Sequence, residues 1–128
     1  MTTIELDLPW PPSVNESTRR YHLKGYRAEV AKAVMVARWP KFNKARLSLY
    51  VVLCAPNNRR IDLDNRIKPM QDALKKAGVY DDDSQIDHLE VARGMVQPKH
   101  PCAIVIIKTM LDYDSMPFGN AKDLQSGR

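Results

Sequence analysis

A single domain of the α/β (α+β) class, a mixed β-sheet with packed helices in the order β-α-β-α-β-β, is what three features of the sequence predict. Stretches that alternate apolar and polar residues are separated by two stretches with apolar residues at helical spacing. These stretches follow one another singly and not in blocks, as elements layered on one sheet do. The chain has 128 residues, 44% of them apolar, enough for one domain with a core that needs no covalent staples.

Residues 3–8 place Ile4, Leu6 and Leu8 on one side and read as a strand. Pro9-Trp10-Pro11-Pro12 ends it, because proline donates nothing to a ladder. Residues 13–25 are polar and basic and read as a loop. Residues 27–39 carry Val30, Val34 and Ala37 at helical spacing, and Pro40 stops that helix. Residues 45–55 have Leu47, Leu49, Val51 and Leu53 on one face and Tyr50, Val52 and Cys54 on the other, the pattern of a central strand buried on both sides. A polar loop at 56–60 leads to Asp62-Leu63-Asp64-Asn65 and a second helix running to about Ala77, with Ile67, Met70 and Leu74 as its buried stripe and Gly78 as its terminator. Pro69 would remove a hydrogen bond inside that helix, so the helix either starts near Lys68 or has a distorted first turn. After Asp81-Asp82-Asp83, strands at 86–96 and 102–110 flank a turn at 98–101 and read as a hairpin. Periodicity is lost from Leu111 onward. Residues 1–110 are therefore expected to form the domain and 111–128 a flexible C-terminal tail.

The net charge of +5 is unevenly spread. Between Glu16 and Arg46 nine Lys or Arg face two Glu, a balance of +7 that leaves −2 for the remainder. A basic segment beside an acidic remainder fits a polyanion on one surface and a cation held elsewhere, although charge runs are usually just solvated faces. No signal peptide and no membrane-length apolar run are visible, so a soluble cytoplasmic protein is expected. Cys54 and Cys102 lie in apolar runs and read as free buried thiols, without the spacing of a zinc site. A glycine-rich phosphate loop is absent, which argues against a nucleotide cofactor.

Asp62 and Asp64 are two residues apart, so in extended chain their carboxylates point the same way. They stand between a buried strand and a helix, where α/β folds place ligands; a helix cap is the alternative, purely structural use for Asp64 or Asn65. The Asp81-Asp82-Asp83 triplet reads by itself as a solvated turn. Brought together, carboxylates at roughly 5 Å repel by about 3 kcal/mol per pair at an effective dielectric near 20, a conflict that a hard divalent cation removes. An all-carboxylate set without His or Cys matches Mg²⁺ or Mn²⁺. Such ions support phosphodiester hydrolysis by activating water and neutralising phosphate charge. Lys68, one helical turn after Asp64, could stabilise that charge or simply form a surface pair with Asp64 or Asp72. Spacing alone decides neither its role nor which triplet member joins the pair.

The runs Asp62-Leu63-Asp64-Asn65, Lys68, Asp72-Ala73-Leu74, Ala77-Gly78 and Asp82-Asp83-Ser84-Gln85 resemble the RusA family of Holliday-junction (crossover junction) endodeoxyribonucleases. The opening Leu8-Pro9-Trp10-Pro11-Pro12-Ser13-Val14-Asn15 resembles the same family, and the likeness spans about residues 4–108. It implies a Mg²⁺-dependent homodimer that resolves four-way DNA junctions by paired symmetric phosphodiester hydrolysis during DNA recombination and repair, in a family often carried by phages and prophages. The resemblance implies that Asp62, Asp64 and Asp83 are the metal-binding catalytic aspartates, that Lys68 is the essential lysine and that Asp82 is a further acidic position. The segment Asn57-Asn58-Arg59-Arg60 is less basic than the family pattern.

A four-way junction is close to two-fold symmetric and this chain holds one carboxylate cluster, so two matched cuts call for a C2 dimer. Branched DNA is the expected partner, with Asn15, Arg19, Arg20, Lys24, Arg27, Arg59 and Arg60 as its expected contacts and Lys32 on the same basic stretch. Trp10 and Tyr21 are candidates for a wedge into the junction, with packing the simpler role. Two other readings stand beside this one: a non-catalytic, structure-selective DNA-binding protein whose aspartates are caps and turns, and a metal-dependent phosphatase of small esters, which would not need the basic stretch.

Overall fold

Arg46–Cys54 forms the strand on which the sheet is built, with both of its edges occupied. The computed structural model describes residues 3–14 and 20–110. Its elements are β1 (Thr3–Pro9), α1 (Arg20–Val36), β2 (Arg46–Cys54), α2 (Leu63–Lys76), a one-turn 3₁₀ helix (Asp83–Gln85), β3 (Ile86–Arg93) and β4 (Cys102–Met110). This is the predicted mixed sheet with two helices, in the predicted order. The strands lie side by side as β1-β4-β2-β3, with β2 parallel to β3 and antiparallel to β4. The proposed tail at 111–128 lies outside the described residues.

The expected hairpin between the last two strands is not there: β3 and β4 lie on opposite sides of β2. The polar, proline-containing segment at 94–101 looks like a turn in sequence, but it carries the chain across the end of β2. Gly94 and Gln97 donate backbone N–H groups to Leu53 and Ala55, extending the parallel pairing past the end of β3. Gly94 has no room for a side chain there, because a Cβ would come within 2.5 Å of Val52 Cγ1. The crossover leaves β3 as one edge of the sheet, and it ends at Arg93 and not at the expected residue 96.

Leu47, Leu49, Val51 and Leu53 of β2 are fully buried, as are their β4 neighbours Ala103, Val105 and Ile107. The helices contribute Tyr26, Val30 and Val34 from α1 and Ile67, Met70, Ala73 and Leu74 from α2 to the same core. β2 is central as predicted, but its second face is less covered than expected, with Tyr50 and Val52 only half-buried. On that face Cys54 and Cys102 are cross-strand partners and free thiols, the second half-buried. Burial and the neighbouring Cys54 push the Cys102 thiol up to about 11.

The first helix starts earlier than the sequence predicts. Residues 20–25, read as loop, form its opening turns. Tyr26, Val30 and Val34 make an i, i+4, i+8 stripe that anchors it, and Lys and Arg are good helix formers. A Cβ at Gly25 would meet nothing within 4 Å, so no close approach requires glycine there, and it costs about 1 kcal/mol relative to Ala, too little to stop a helix anchored by packing. The helix ends at Val36, before the expected Trp39. Arg38 turns to φ +55°, its N–H donates to Met35 O, and the Trp39 N–H reaches back to Val34 O at 3.1 Å. This Schellman closure folds Trp39 onto the core. Gly78, at φ +83°, closes α2 in the same way, with Val79 N–H donating to Leu74 O.

Candidate active site

The second helix begins at Leu63, directly after Asp62, and runs through Pro69 without ending. The late start near Lys68 is therefore not seen, and the reason lies in an external donor. A residue with an N–H at position 69 would bond the carbonyl of Asn65, four residues back. Proline cannot, and the Asn65 carbonyl instead accepts the Val14 N–H at 2.8 Å. Arg66 Nη1 donates to the Pro11 carbonyl at 2.8 Å, and its guanidinium lies 5.1 Å from the Trp10 ring centroid. The Trp-Pro-Pro segment is thus fastened along the start of α2, and Trp10 is a packing residue in contact with the core.

Asp62 occupies the N-cap position, yet its side chain accepts no backbone N–H. Among the described residues it receives the Asn65 side-chain amide alone, at 3.2 Å. Asp64 sits in the first turn, where the helix dipole favours a negative charge. Neither carboxylate is consumed by capping, the simplest structural use for aspartates at this place.

At the other end of the site, Gln85 holds the acidic triplet in place. It is buried, its Oε1 accepts the N–H groups of Asp81 and Asp82 at 2.8 and 2.7 Å, and its Nε2 donates to the carbonyls of Asn43 and Ala45 at 2.6 and 2.9 Å. Asp82 forms a capping box with Gln85, accepts the Ser84 N–H at 3.0 Å and also pairs with Lys75 at 3.2 Å. These contacts, Ser84 first and Lys75 after it, hold the Asp82 carboxyl down at about 2. Asp82 is therefore occupied as a cap, while the next residue turns toward α2.

Asp83 Oδ2 accepts Lys68 Nζ at 2.9 Å, and the same ammonium contacts Asp72 at 3.0 Å. The local i,i+4 pair foreseen for Lys68 is present, but a non-local carboxylate from the triplet joins it. The hydrogen bonds to Asp83 and Asp72 raise the Lys68 pKa, so the side chain stays an ammonium at neutral pH. It remains 61% exposed, within reach of an anion from solvent. Asp83 Oδ1 is buried and has no hydrogen-bond partner among the described residues. Tyr80 lies beneath it: its hydroxyl donates to the Gln71 carbonyl at 2.9 Å, and burial followed by the Asp83 charge keeps that phenol protonated.

The family model described as Endodeoxyribonuclease RusA matches residues 11–108, three-quarters of this chain and the whole of the site just described. The chain belongs to the RusA family. Among curated relatives, the crossover junction endodeoxyribonuclease rusA of Enterobacteria phage HK97 is 38% identical over 106 residues, covering 77% of this chain and 88% of that one. Crossover junction endodeoxyribonuclease RusA of Escherichia coli K12 is 35% identical over 101 residues, covering 73% and 84%. The rusA protein of Enterobacteria phage 82 is 34% identical over the same coverage. The RusA match leaves out all of β1, which nonetheless pairs with β4 along its whole length.

In this RusA-family chain, Lys68, Asp72 and Asp83 form one contact cluster. Asp64 and Lys68 line a common groove with Gln71, and Asp62 stands one residue before the helix. Among the described residues no three or more His, Cys, Asp or Glu side chains come close enough to hold a metal ion together. Of the expected DNA contacts, Lys24 is exposed on α1 and Arg27 is half-buried. Arg59 and Arg60 are exposed in the loop that Arg93 pins by donating to the Asn57 and Arg59 carbonyls, each at 2.9 Å. Asn15, Arg19 and the side chains of Arg20 and Tyr21 lie outside the described residues. No described helix is long and apolar enough to cross a membrane. Sequence reasoning gave no role to Gln85, although Asp82-x-x-Gln85 is a capping-box signature. It also gave none to Arg66, whose carbonyl partner is 55 residues away.

Proposed function

We propose that the protein is a Mg²⁺-dependent endodeoxyribonuclease that resolves four-way DNA junctions by paired, symmetric cuts as a homodimer, in recombination and repair. The observation that carries this reading is the exposed Lys68 ammonium bridging Asp72 and Asp83 beside Asp64, in a chain whose relatives are named crossover junction endodeoxyribonucleases.

Asp62, Asp64 and Asp83 are the residues that would hold the metal, with Asp82 engaged as a cap. The donor chemistry fits: Asp62 is left out of backbone capping, Asp64 lies in the first turn beside it, and Asp83 offers a buried oxygen with no hydrogen-bond partner among the described residues, an arrangement that a cation would relieve. When bound, Mg²⁺ or Mn²⁺ supplies an acidified water and neutralises charge on the phosphate. Lys68 holds the scissile phosphate by charge and stabilises the transition state's added negative charge. Lys24 on α1, with Arg59 and Arg60 on the pinned loop, contacts flanking phosphates, which positions the DNA without reading sequence. One such site per chain makes one cut, and a two-fold dimer on a two-fold junction makes the matched pair.

A non-catalytic junction-binding protein is the second reading, favoured by the lack of a three-carboxylate cluster among the described residues. End-labelled four-way junction and linear duplex, each incubated with the protein with and without Mg²⁺, separate the two. Symmetric nicks in the junction alone, only with metal, are expected. Salt-sensitive binding with no nick in Mg²⁺ or Mn²⁺ would favour the second reading.

A further inference from the structure

Beside Lys68 the surface opens into a groove of about 500 Å³ between α2 and β3. Its floor is apolar, made by Leu63 and Ile67 of the helix and Leu89 and Val91 of the strand, and its rim carries Asp64, Lys68 and Gln71. The groove exists because β3 is an edge strand that α2 only partly covers. Val91 and Leu63 still pack against the core, but Leu89 is left 45% exposed. Gln71, a lining residue of the groove, uses its backbone carbonyl for Tyr80; its side-chain amide carries two donors and one acceptor.

We infer that the groove between α2 and β3 receives an unstacked nucleobase of the strand being cut, next to the phosphate held by Lys68. This rests on the nuclease reading above and names a subsite that the reading does not contain. Asp64 and Lys68 belong both to the candidate active site and to the groove rim, so a strand whose phosphate lies at Lys68 presents its next nucleoside to Leu89 and Val91. The volume and lining, apolar walls with a few convergent polar groups, suit a small planar ligand. A base stacked in a duplex cannot enter a slot between a helix and a strand, so it must leave the stack. That costs least where stacking is already interrupted, as at the crossover of a junction. The Gln71 amide then meets the polar edge of the base and makes the site selective among bases.

The test maps the cut with wild-type protein and then removes the base from the nucleotide on each side of it in turn. The groove predicts that one of the two abasic junctions is cut about tenfold slower under single-turnover conditions, a loss equal to about 1.4 kcal/mol. Leu89→Ser, a change at an exposed edge position, slows cutting of the intact junction by a similar factor and adds no further loss on that abasic junction. Gln71→Ala narrows the ratio of rates among the four bases at that nucleotide. With Asp64→Asn protein, which holds the DNA uncut, 2-aminopurine at the same position brightens on binding. Independent, multiplying effects of the abasic site and Leu89→Ser, or unchanged 2-aminopurine fluorescence, overturn the base subsite while leaving junction cleavage intact. A change of oligomeric state in Leu89→Ser, seen by sedimentation, also overturns it and gives the groove to a second copy of the chain. If wild-type protein cuts no junction at all, the nuclease reading fails first and the subsite with it.

Discussion

Gln85→Ala removes one side chain and four hydrogen bonds. The amide is 5% exposed and reinforces the junction of two segments, the N–H groups of Asp81 and Asp82 on one side and the carbonyls of Asn43 and Ala45 on the other, which the Asp81 N–H also links directly to Asn43 O at 3.1 Å. Each neutral bond is worth about 1 kcal/mol net, and a buried group left unsatisfied costs about 1–3 kcal/mol. The Asp81 N–H and the Asn43 carbonyl keep each other, and the other two partners are backbone groups that water can reach, so part of the loss is recovered. A destabilisation of about 3–4 kcal/mol remains, large among single substitutions. With a urea m-value of about 2 kcal/mol/M, the unfolding midpoint falls by roughly 1.5–2 M. Gln85→Glu separates the two halves of the network: it can still accept the two N–H groups but donates nothing, and it sets a charge against two carbonyls. It is therefore expected to be as unstable as the alanine variant, or more so. Both substitutions should also free Asp83 from Lys68, visible as a fall of the Lys68 ammonium pKa in NMR titration. A loss under about 1 kcal/mol, or an unchanged Lys68, would refute the claim that Gln85 holds the triplet in place.

Other consequences can be checked independently. Pro69→Ala returns an N–H that competes for the Asn65 carbonyl, so the Val14 amide should lose its protection from hydrogen exchange while α2 keeps its own; a Val14 amide as protected as before would break the argument. Asp82 has its carboxyl held at about 2 against the usual 3.8, so its contribution to stability is complete above about pH 4 and disappears as the pH falls through about 2. A carboxyl titration of Asp82 with an ordinary midpoint would contradict the capping box. Lys68→Ala removes the cation now shared by Asp72 and Asp83. Because the pair is exposed, Mg²⁺ affinity measured by calorimetry should tighten only about threefold, while cleavage at saturating Mg²⁺ falls by about a hundredfold or more. Weaker metal binding together with unchanged cleavage would remove Lys68 from the site.

Much of the fold was legible because it depends on local pattern. The alternation of β2 and β4 and the Gly78 terminator need nothing outside their own segments. The misread parts depend on distant partners. Pro69 marks a helix break in isolation, and the N–H of Val14, 51 residues before the Asn65 carbonyl that it satisfies, is what lets the helix run on unbroken. The loop reading of residues 20–25 weighed polarity and Gly25 above the stripe that begins at Tyr26. A hairpin was the short-range solution for two successive strands, but β2 offers each a separate edge. In the site, Asp62 and Asp64 could be paired by spacing, whereas Asp83 could not be chosen from its triplet. That choice depends on Gln85 binding carbonyls some forty residues away and on Asp82 being taken up as a cap.

Asp64 is the carboxylate that shares the groove with Lys68, in the first turn of α2. Asp64→Asn keeps the shape of the side chain and removes its charge. Cleavage of an end-labelled four-way junction in Mg²⁺ by this variant should be abolished, while binding of the junction persists or strengthens as repulsion from the acidic site falls. Symmetric cutting by Asp64→Asn at the wild-type rate would contradict the account at its centre.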